Sequence, residues 1–212
     1  MTIKIRKYIP VAAGMAGGST DAAAVLVGVN RMFDLGFTKK ELMERGVKLG
    51  ADVPYCIMRG TALSEGIGEI LTELPAPPQC HLVIAKPQIS VSTKAVYGKL
   101  RVNELAPEEH PDIDGMMAAI KNGDLDGVIE RLGNVLETVT VPDHPEIARI
   151  KEMMMENGAC GSLMSGSGPT VFGIYKDREL AEKACQTLRE ADGGRLTRQV
   201  YLTEFYNRKK AR

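Results

Sequence analysis

The stretch Lys7-Tyr8-Ile9-Pro10-Val11-Ala12-Ala13-Gly14-Met15-Ala16-Gly17-Gly18-Ser19-Thr20-Asp21 runs straight into a helical pattern and decides how the rest of the chain is read. From Ala22 to Phe33 the apolar residues Ala22, Val25, Leu26, Val29, Met32 and Phe33 recur at helical spacing. Glycine admits positive φ, so a loop built on Gly14, Gly17 and Gly18 can aim successive N–H groups into one concavity. The helix that follows adds its unpaired amides and the positive end of its dipole. Ser19 and Thr20 supply hydroxyls for phosphate or for the shell of a magnesium ion. A glycine-rich turn with a Ser/Thr cap is the plainer account, and the chemistry favours a phosphate site over it. No lysine follows Gly18, so this is not a Walker A loop, and the glycine spacing is not GxGxxG.

Working outward, Ile3 to Ile5 alternates apolar and polar and predicts a short strand. Thr38 caps a second helix that runs to about Leu49 and closes at Gly50. Thr61 to Ser64 reads as a strand. The proline-dense Pro75-Ala76-Pro77-Pro78 marks a boundary, dividing the chain into domains 1–78 and 79–212. Beyond it, His81 to Ala85 reads as a buried strand, 112–121, 124–137 and 145–157 as helices, Thr170 to Tyr175 as a strand, 177–191 as an amphipathic helix and Gln199 to Thr203 as a closing strand. The fold class is α+β, with helices packed on one face of an antiparallel sheet.

Composition narrows the function. The 212 residues carry 27 basic and 27 acidic side chains, so no net field recruits nucleic acid or an anionic membrane. No apolar run approaches the roughly 20 residues of a membrane span. The first residues lack the apolar core of a signal peptide. The four cysteines, far apart and without CxxC spacing, read as reduced thiols of a cytoplasmic protein, and with three histidines in the chain no metal constellation is expected. The basic end Asn207-Arg208-Lys209-Lys210-Ala211-Arg212 reads as a solubilising terminus.

Three further segments bear on chemistry. In Gly50-Ala51-Asp52-Val53-Pro54, a turn with a structural Asp is the better account on the residues alone. In Val91-Ser92-Thr93-Lys94-Ala95-Val96-Tyr97, Ser92 or Thr93 is a helix N-cap, and Tyr97 is by default a core aromatic. Gly161-Ser162-Leu163-Met164-Ser165-Gly166-Ser167-Gly168-Pro169-Thr170 is a strand, a glycine turn and the start of another strand.

Taken together and in this order, the four segments resemble the motifs of the GHMP kinase superfamily, whose phosphate loop is usually written Gly-Leu-Gly-Gly-Gly-Ser-Ser/Thr. Here Met15 replaces the leucine and Ala16 a glycine. Met15 conserves volume, whereas the methyl of Ala16 is poorly suited to positive φ. The Val-Ser-Thr-x-x-x-aromatic segment is similar to that of the superfamily members acting on a cytidine diphosphate-linked methylerythritol.

The resemblance implies a partial N-terminal catalytic domain followed by a ferredoxin-like α/β sandwich, with the active site in the cleft between them. It implies ATP and Mg²⁺ as cofactors, with Pro10, Val11, Ala12, Ala13, Gly14, Met15, Ala16, Gly17, Gly18, Ser19 and Thr20 around the triphosphate. Asp52 would be the catalytic base, near the substrate hydroxyl, and Thr93 and Tyr97 would hold the cytidine end. The alternatives are a mevalonate, homoserine or galactose type of GHMP kinase, or a catalytically incomplete nucleotide-binding fragment. The superfamily pattern also begins with a strand supplying a lysine and an asparagine, and with a Gly-Tyr-His segment. Neither is found in this sequence, which leads to the expectation of weak turnover and of self-association through an uncovered sheet edge.

Overall fold

The computed structural model describes residues 1–10 and 12–206, with the backbone alone at Arg198; Val11 and the basic end at 207–212 lie outside the described residues. Two compact units emerge. The first contains the N-terminal residues and Ala16–Ala76, and the second contains Ala12–Met15 and Pro77–Tyr206.

In the first unit, helix α1 (Gly17–Met32) is followed by α2 (Lys39–Gly46), α3 (Val53–Met58) and an antiparallel hairpin of β1 (Thr61–Glu65) and β2 (Ile70–Leu74). Helix α1 begins five residues before its apolar period does, because its first turn is made of glycine, serine and threonine, which carry no hydrophobic signal. Asn30 at its far end grips the next turn, donating to Phe37 O at 2.9 Å and accepting from Phe37 N at 3.1 Å. A capping box then starts α2: Thr38 Oγ1 accepts from Glu41 N, and Glu41 Oε2 accepts from Thr38 N. Gly46 lets α2 meet α3, since a Cβ there would stand 2.9 Å from Val53 Cγ1. Ala23, Leu42, Val53 and Ile57 form the small core of this unit.

The expected strand at Ile3–Ile5 is irregular, and both isoleucines are exposed. Alternation makes a strand only where a ladder partner exists, and among the described residues this segment has none. Strand β2 went unread because Ile70–Leu74 does not alternate; its pairing with β1, from Thr61↔Leu74 to Glu65↔Ile70, forms it.

The second unit is built on β3 (His81–Pro87), α4 (Thr93–Lys99), α5 (Ile113–Asn122), α6 (Leu125–Glu130), α7 (Glu137–Asp143), α8 (Pro145–Glu156), β4 (Gly161–Met164), β5 (Val171–Tyr175), α9 (Arg178–Glu190) and β6 (Thr197–Glu204). Its sheet has the order β4-β5-β3-β6 with every pairing antiparallel. With α8 and α9 as crossovers this is the βαββαβ pattern of a ferredoxin-like sandwich, and α4–α7 are inserted in its first crossover.

The two sheet faces divide by period 2. Val83, Ala85, Val171, Tyr175 and Val200 join Ile147, Ile150 and Met154 of α8 and Ala181, Ala184 and Leu188 of α9. On the opposite face Leu82 and Ile174 pack with Leu125, Ile129 and Leu132, so helical cover is not confined to one face as expected. The helix expected over 124–137 is realised only as α6, which ends at Glu130. Residues 131–136 are not helical, and within them Asn134 Oδ1 accepts from Leu136 N at 3.0 Å just before α7 begins.

Ile150 is fully buried on α8. Ile150→Ala is expected to cost about 2–5 kcal/mol in urea unfolding; a loss below about 1 kcal/mol would contradict this account of the core.

Candidate functional site

The glycine-rich loop has left-handed residues at every second position: φ is 51° at Ala12, 68° at Gly14 and 48° at Ala16. Turns in which left-handed residues stand next to right-handed ones can converge N–H groups on an anion. Ala16 is the N-cap of α1 and brings no side-chain acceptor, and the first turn holds no acid. The first-turn amides of α1 therefore lack the cap that helix starts ordinarily have. The methyl of Ala16 does not prevent positive φ, but it makes that conformation costly.

The glycines of the loop differ in what requires them. A Cβ on Gly14 would lie 2.2 Å from Ser165 O, and Ser165 Oγ donates to Gly14 O at 2.7 Å. The centre of the loop is thus seated on the glycine turn between β4 and β5. A Cβ on Gly17 would meet Ile9 Cγ2 at 3.0 Å, Pro10 O at 3.2 Å and Lys7 Nζ at 3.3 Å. A Cβ on Gly18 would meet nothing within 4 Å. Protein packing does not demand a glycine at 18.

Within the first unit, the turn carrying Asp52 lies against the first turn of α1. A Cβ on Gly50 would stand 3.9 Å from Ser19 Oγ, and Thr20 Oγ1 lies 3.5 Å from Cys56 Sγ on α3. Burial raises the Cys56 thiol above its ordinary range, with the Thr20 hydrogen bond opposing that shift. Asp52 occupies the N-cap position of α3 without making a cap hydrogen bond among the described residues, and it is exposed. The structural role that the residues alone suggested for it is absent, and its carboxylate is left to other chemistry. Thr20 is engaged internally, donating to Ala16 O at 3.0 Å, so Ser19 is the better placed hydroxyl for a ligand.

Lys7 was quoted with the loop but not singled out. Its Nζ pairs with Asp21 Oδ2 at 2.5 Å, half-exposed, and brings a positive charge beside the start of α1. The signal was its position three residues before Pro10, which no propensity rule marks.

Within the second unit, Ser92 caps α4 by accepting from Ala95 N, and Thr93 is the first helical residue. Thr93 Oγ1 and Ser167 Oγ are 2.8 Å apart, which ties α4 to the same glycine turn that seats Gly14. Tyr97, one turn further along, is 61% exposed while its neighbour Val96 is buried. It is no core aromatic. Gly14, the glycine turn and Thr93 are thus brought together in one unit, and Ala16–Thr20 and the Asp52 turn in the other. Val11 lies outside the described residues. No group of three or more His, Cys, Asp or Glu among the described residues could hold a metal ion, and no helix there is long and apolar enough to cross a membrane.

Comparison with known proteins accounts for this arrangement. Residues 1–60 match the model of the GHMP kinases N terminal domain, and residues 116–193 that of the GHMP kinases C terminal. The chain belongs to the GHMP kinase family, a class of ATP-dependent kinases. Within it, the chain is 56% identical over 204 residues to the 4-diphosphocytidyl-2-C-methyl-D-erythritol kinase of Lachnospira eligens, covering 96% of this chain and 69% of that protein. The same enzyme of Lachnoclostridium phytofermentans is 52% identical over 98% of this chain and 69% of its own length. A crystal structure of 4-(cytidine 5'-diphospho)-2C-methyl-D-erythritol kinase superposes with a TM-score of 0.76 at 30% identity, covering 93% of this chain and 68% of that one. A homoserine kinase from Cytophaga hutchinsonii superposes at 0.79 but is 19% identical, over 95% and 68% of the two chains, and so speaks for the fold alone.

Two substitutions in the loop are expected to act in opposite directions. Gly14→Ala drives a methyl into Ser165 O at unfavourable φ and is expected to destabilise by about 2–4 kcal/mol. Ala16→Gly relieves the left-handed strain and is expected to stabilise by up to about 1 kcal/mol. Thermal unfolding of both variants reads the outcome, and equal effects would refute the description of the loop.

Proposed function

We infer that this chain transfers the γ-phosphoryl group of ATP to the 2-hydroxyl of 4-diphosphocytidyl-2-C-methyl-D-erythritol, a step in non-mevalonate isoprenoid precursor synthesis. The observation that carries the substrate is the agreement among relatives 49–56% identical to it, every one bearing that enzyme's name. The geometry supports the same reading: an uncapped helix start for phosphate, an uncapped aspartate beside it and an exposed tyrosine for a pyrimidine.

In this reading Pro10–Thr20, Val11 among them, surround the triphosphate, with the first-turn amides of α1 and Lys7 facing its charge. Mg²⁺ fits this chain only as a companion of the nucleotide. The described residues offer no protein cage, and the ion is commonly held through substrate phosphates and one or two protein oxygens. The Ser19 hydroxyl is the candidate oxygen. When bound, the ion offsets phosphate charge. Asp52 takes the proton of the 2-hydroxyl as its oxygen bonds to the γ-phosphorus, and the bond from that phosphorus to the β–γ bridging oxygen breaks to release ADP. Thr93 and Tyr97 hold the cytidine end, Tyr97 by stacking.

Four free cysteines and a soluble, nucleotide-fuelled reaction support a cytoplasmic setting. The two-stranded sheet β1–β2, with Ile67 and Ile70 exposed at its turn, supports self-association through a sheet edge. A homoserine kinase reading shares the fold but leaves exposed Tyr97 without a purpose.

Asp52→Asn is expected to lower turnover by about 10²–10⁴ while ATP affinity stays within twofold. Tyr97→Ala should weaken CDP binding about tenfold in calorimetry and leave ATP binding unchanged. Phosphorylation of homoserine with no binding of CDP would overturn the substrate assignment.

A further inference from the structure

The glycine turn between β4 and β5 touches both Gly14 and Thr93, so whatever fixes that turn fixes both contacts. Three side chains from one short segment perform this task. Asn134 Nδ2 donates to Met164 O and to Gly166 O, each at 2.8 Å. Glu137 Oε1 accepts from Met164 N at 2.7 Å, while its other oxygen accepts from Lys151 Nζ at 2.5 Å. Thr140 Oγ1, almost fully buried, donates to Ser167 O at 3.2 Å. Asn134 precedes α7, whereas Glu137 and Thr140 lie on it about one helical turn apart.

The division of labour is uneven. Asn134 holds the carbonyls on either side of Ser165, the residue whose hydroxyl reaches Gly14 O. Thr140 holds Ser167, the residue that meets Thr93. Asn134 also uses its own carbonyl, accepting from Leu136 N at 3.0 Å. Two donors and one acceptor at this reach are what an asparagine amide offers. Aspartate lacks the donors, serine has one, and glutamine is a methylene too long.

We propose that Asn134 is a positioning residue for the nucleotide: it fixes the orientation of Ser165 and, through that hydroxyl, the curvature of the loop at Gly14. It touches neither substrate, and its effect is transmitted through the Ser165–Gly14 hydrogen bond. The inference rests on the reading of residues 10–20 as the triphosphate site.

The test compares the parent with Asn134→Asp, Ser165→Ala and the double variant, with ATP and CDP as titrants in calorimetry. Asn134→Asp keeps shape and acceptor but turns a carboxylate towards two carbonyl oxygens. It is expected to weaken ATP binding about tenfold and CDP binding less than twofold, a split that general loss of structure would not give. In the Ser165→Ala background the same change should weaken ATP binding less than twofold, because the route is already cut. Additive losses, or equal losses for ATP and CDP, overturn the proposal. Should Asn134→Asp fail to fold, Asn134→Ser takes its place under the same criteria. A parent that binds no ATP overturns the reading of the loop, and the inference falls with it. A parent that binds ATP and an Asn134→Asp that binds it equally overturn the inference alone.

Discussion

Two backbones meet where Gly14 faces Ser165, and there is no room between them for a single methyl group. The hypothetical Cβ falls 2.2 Å from a carbonyl oxygen, and the Ser165 hydroxyl closes the remaining gap onto Gly14 O. Residues 151 positions apart are joined here by main chain. Neither partner can be displaced by rotamer changes, which is how most packed contacts yield. Within its unit, the position of the loop at Gly14 is fixed by that seat. A turn this important needs its own support, and it receives it from the 134–140 segment, whose side chains bond to main-chain atoms of the turn.

Much of this was legible in the residues. The Thr38 cap, the continuous apolar run of the buried strand at His81–Ala85 and the helical patterns of α8 and α9 are local signals, and the structure realises them. The helix start after the loop could be read because glycine and hydroxyl residues gather ahead of the apolar period that begins at Ala22. The structure differs where the deciding partner is distant in sequence. Strand β2 exists because β1 lies beside it, and the strand expected at Ile3–Ile5 lacks any such neighbour among the described residues. The end of α6 at Glu130 was invisible because the asparagine in the stretch that follows is engaged far away in sequence, at Met164 and Gly166. A helical period of apolar residues continues across such a break and conceals it.

The residues assigned to chemistry are those that forgo an ordinary structural role. Asp52 stands at an N-cap position, where an aspartate commonly contributes about 1 kcal/mol by capping, and makes no such bond. Tyr97 lies next to buried Val96 yet is mostly exposed, leaving a large apolar ring in water. Ala16 adopts a backbone conformation that favours glycine and lacks the side chain that would cap its helix. Each departure is small beside the stability of a domain, and under the proposed function each would leave a group open to a ligand.

Gly18 sharpens the same argument, because a structural excuse can be tested there directly. Inside a helix, glycine costs roughly 1 kcal/mol relative to alanine. At Gly17 that cost is imposed by neighbours a Cβ would strike, just as Ser165 O imposes glycine at 14 ahead of the helix, but a Cβ on Gly18 would meet no packing neighbour within 4 Å. Packing alone would therefore favour alanine at 18. Under the proposed function, a triphosphate lying against the first turn of α1 would supply such a constraint, since its oxygens need the approach that a methyl group would deny them. Packing requires glycine at 14 and leaves 18 open, so the two glycines, four positions apart, answer to different demands.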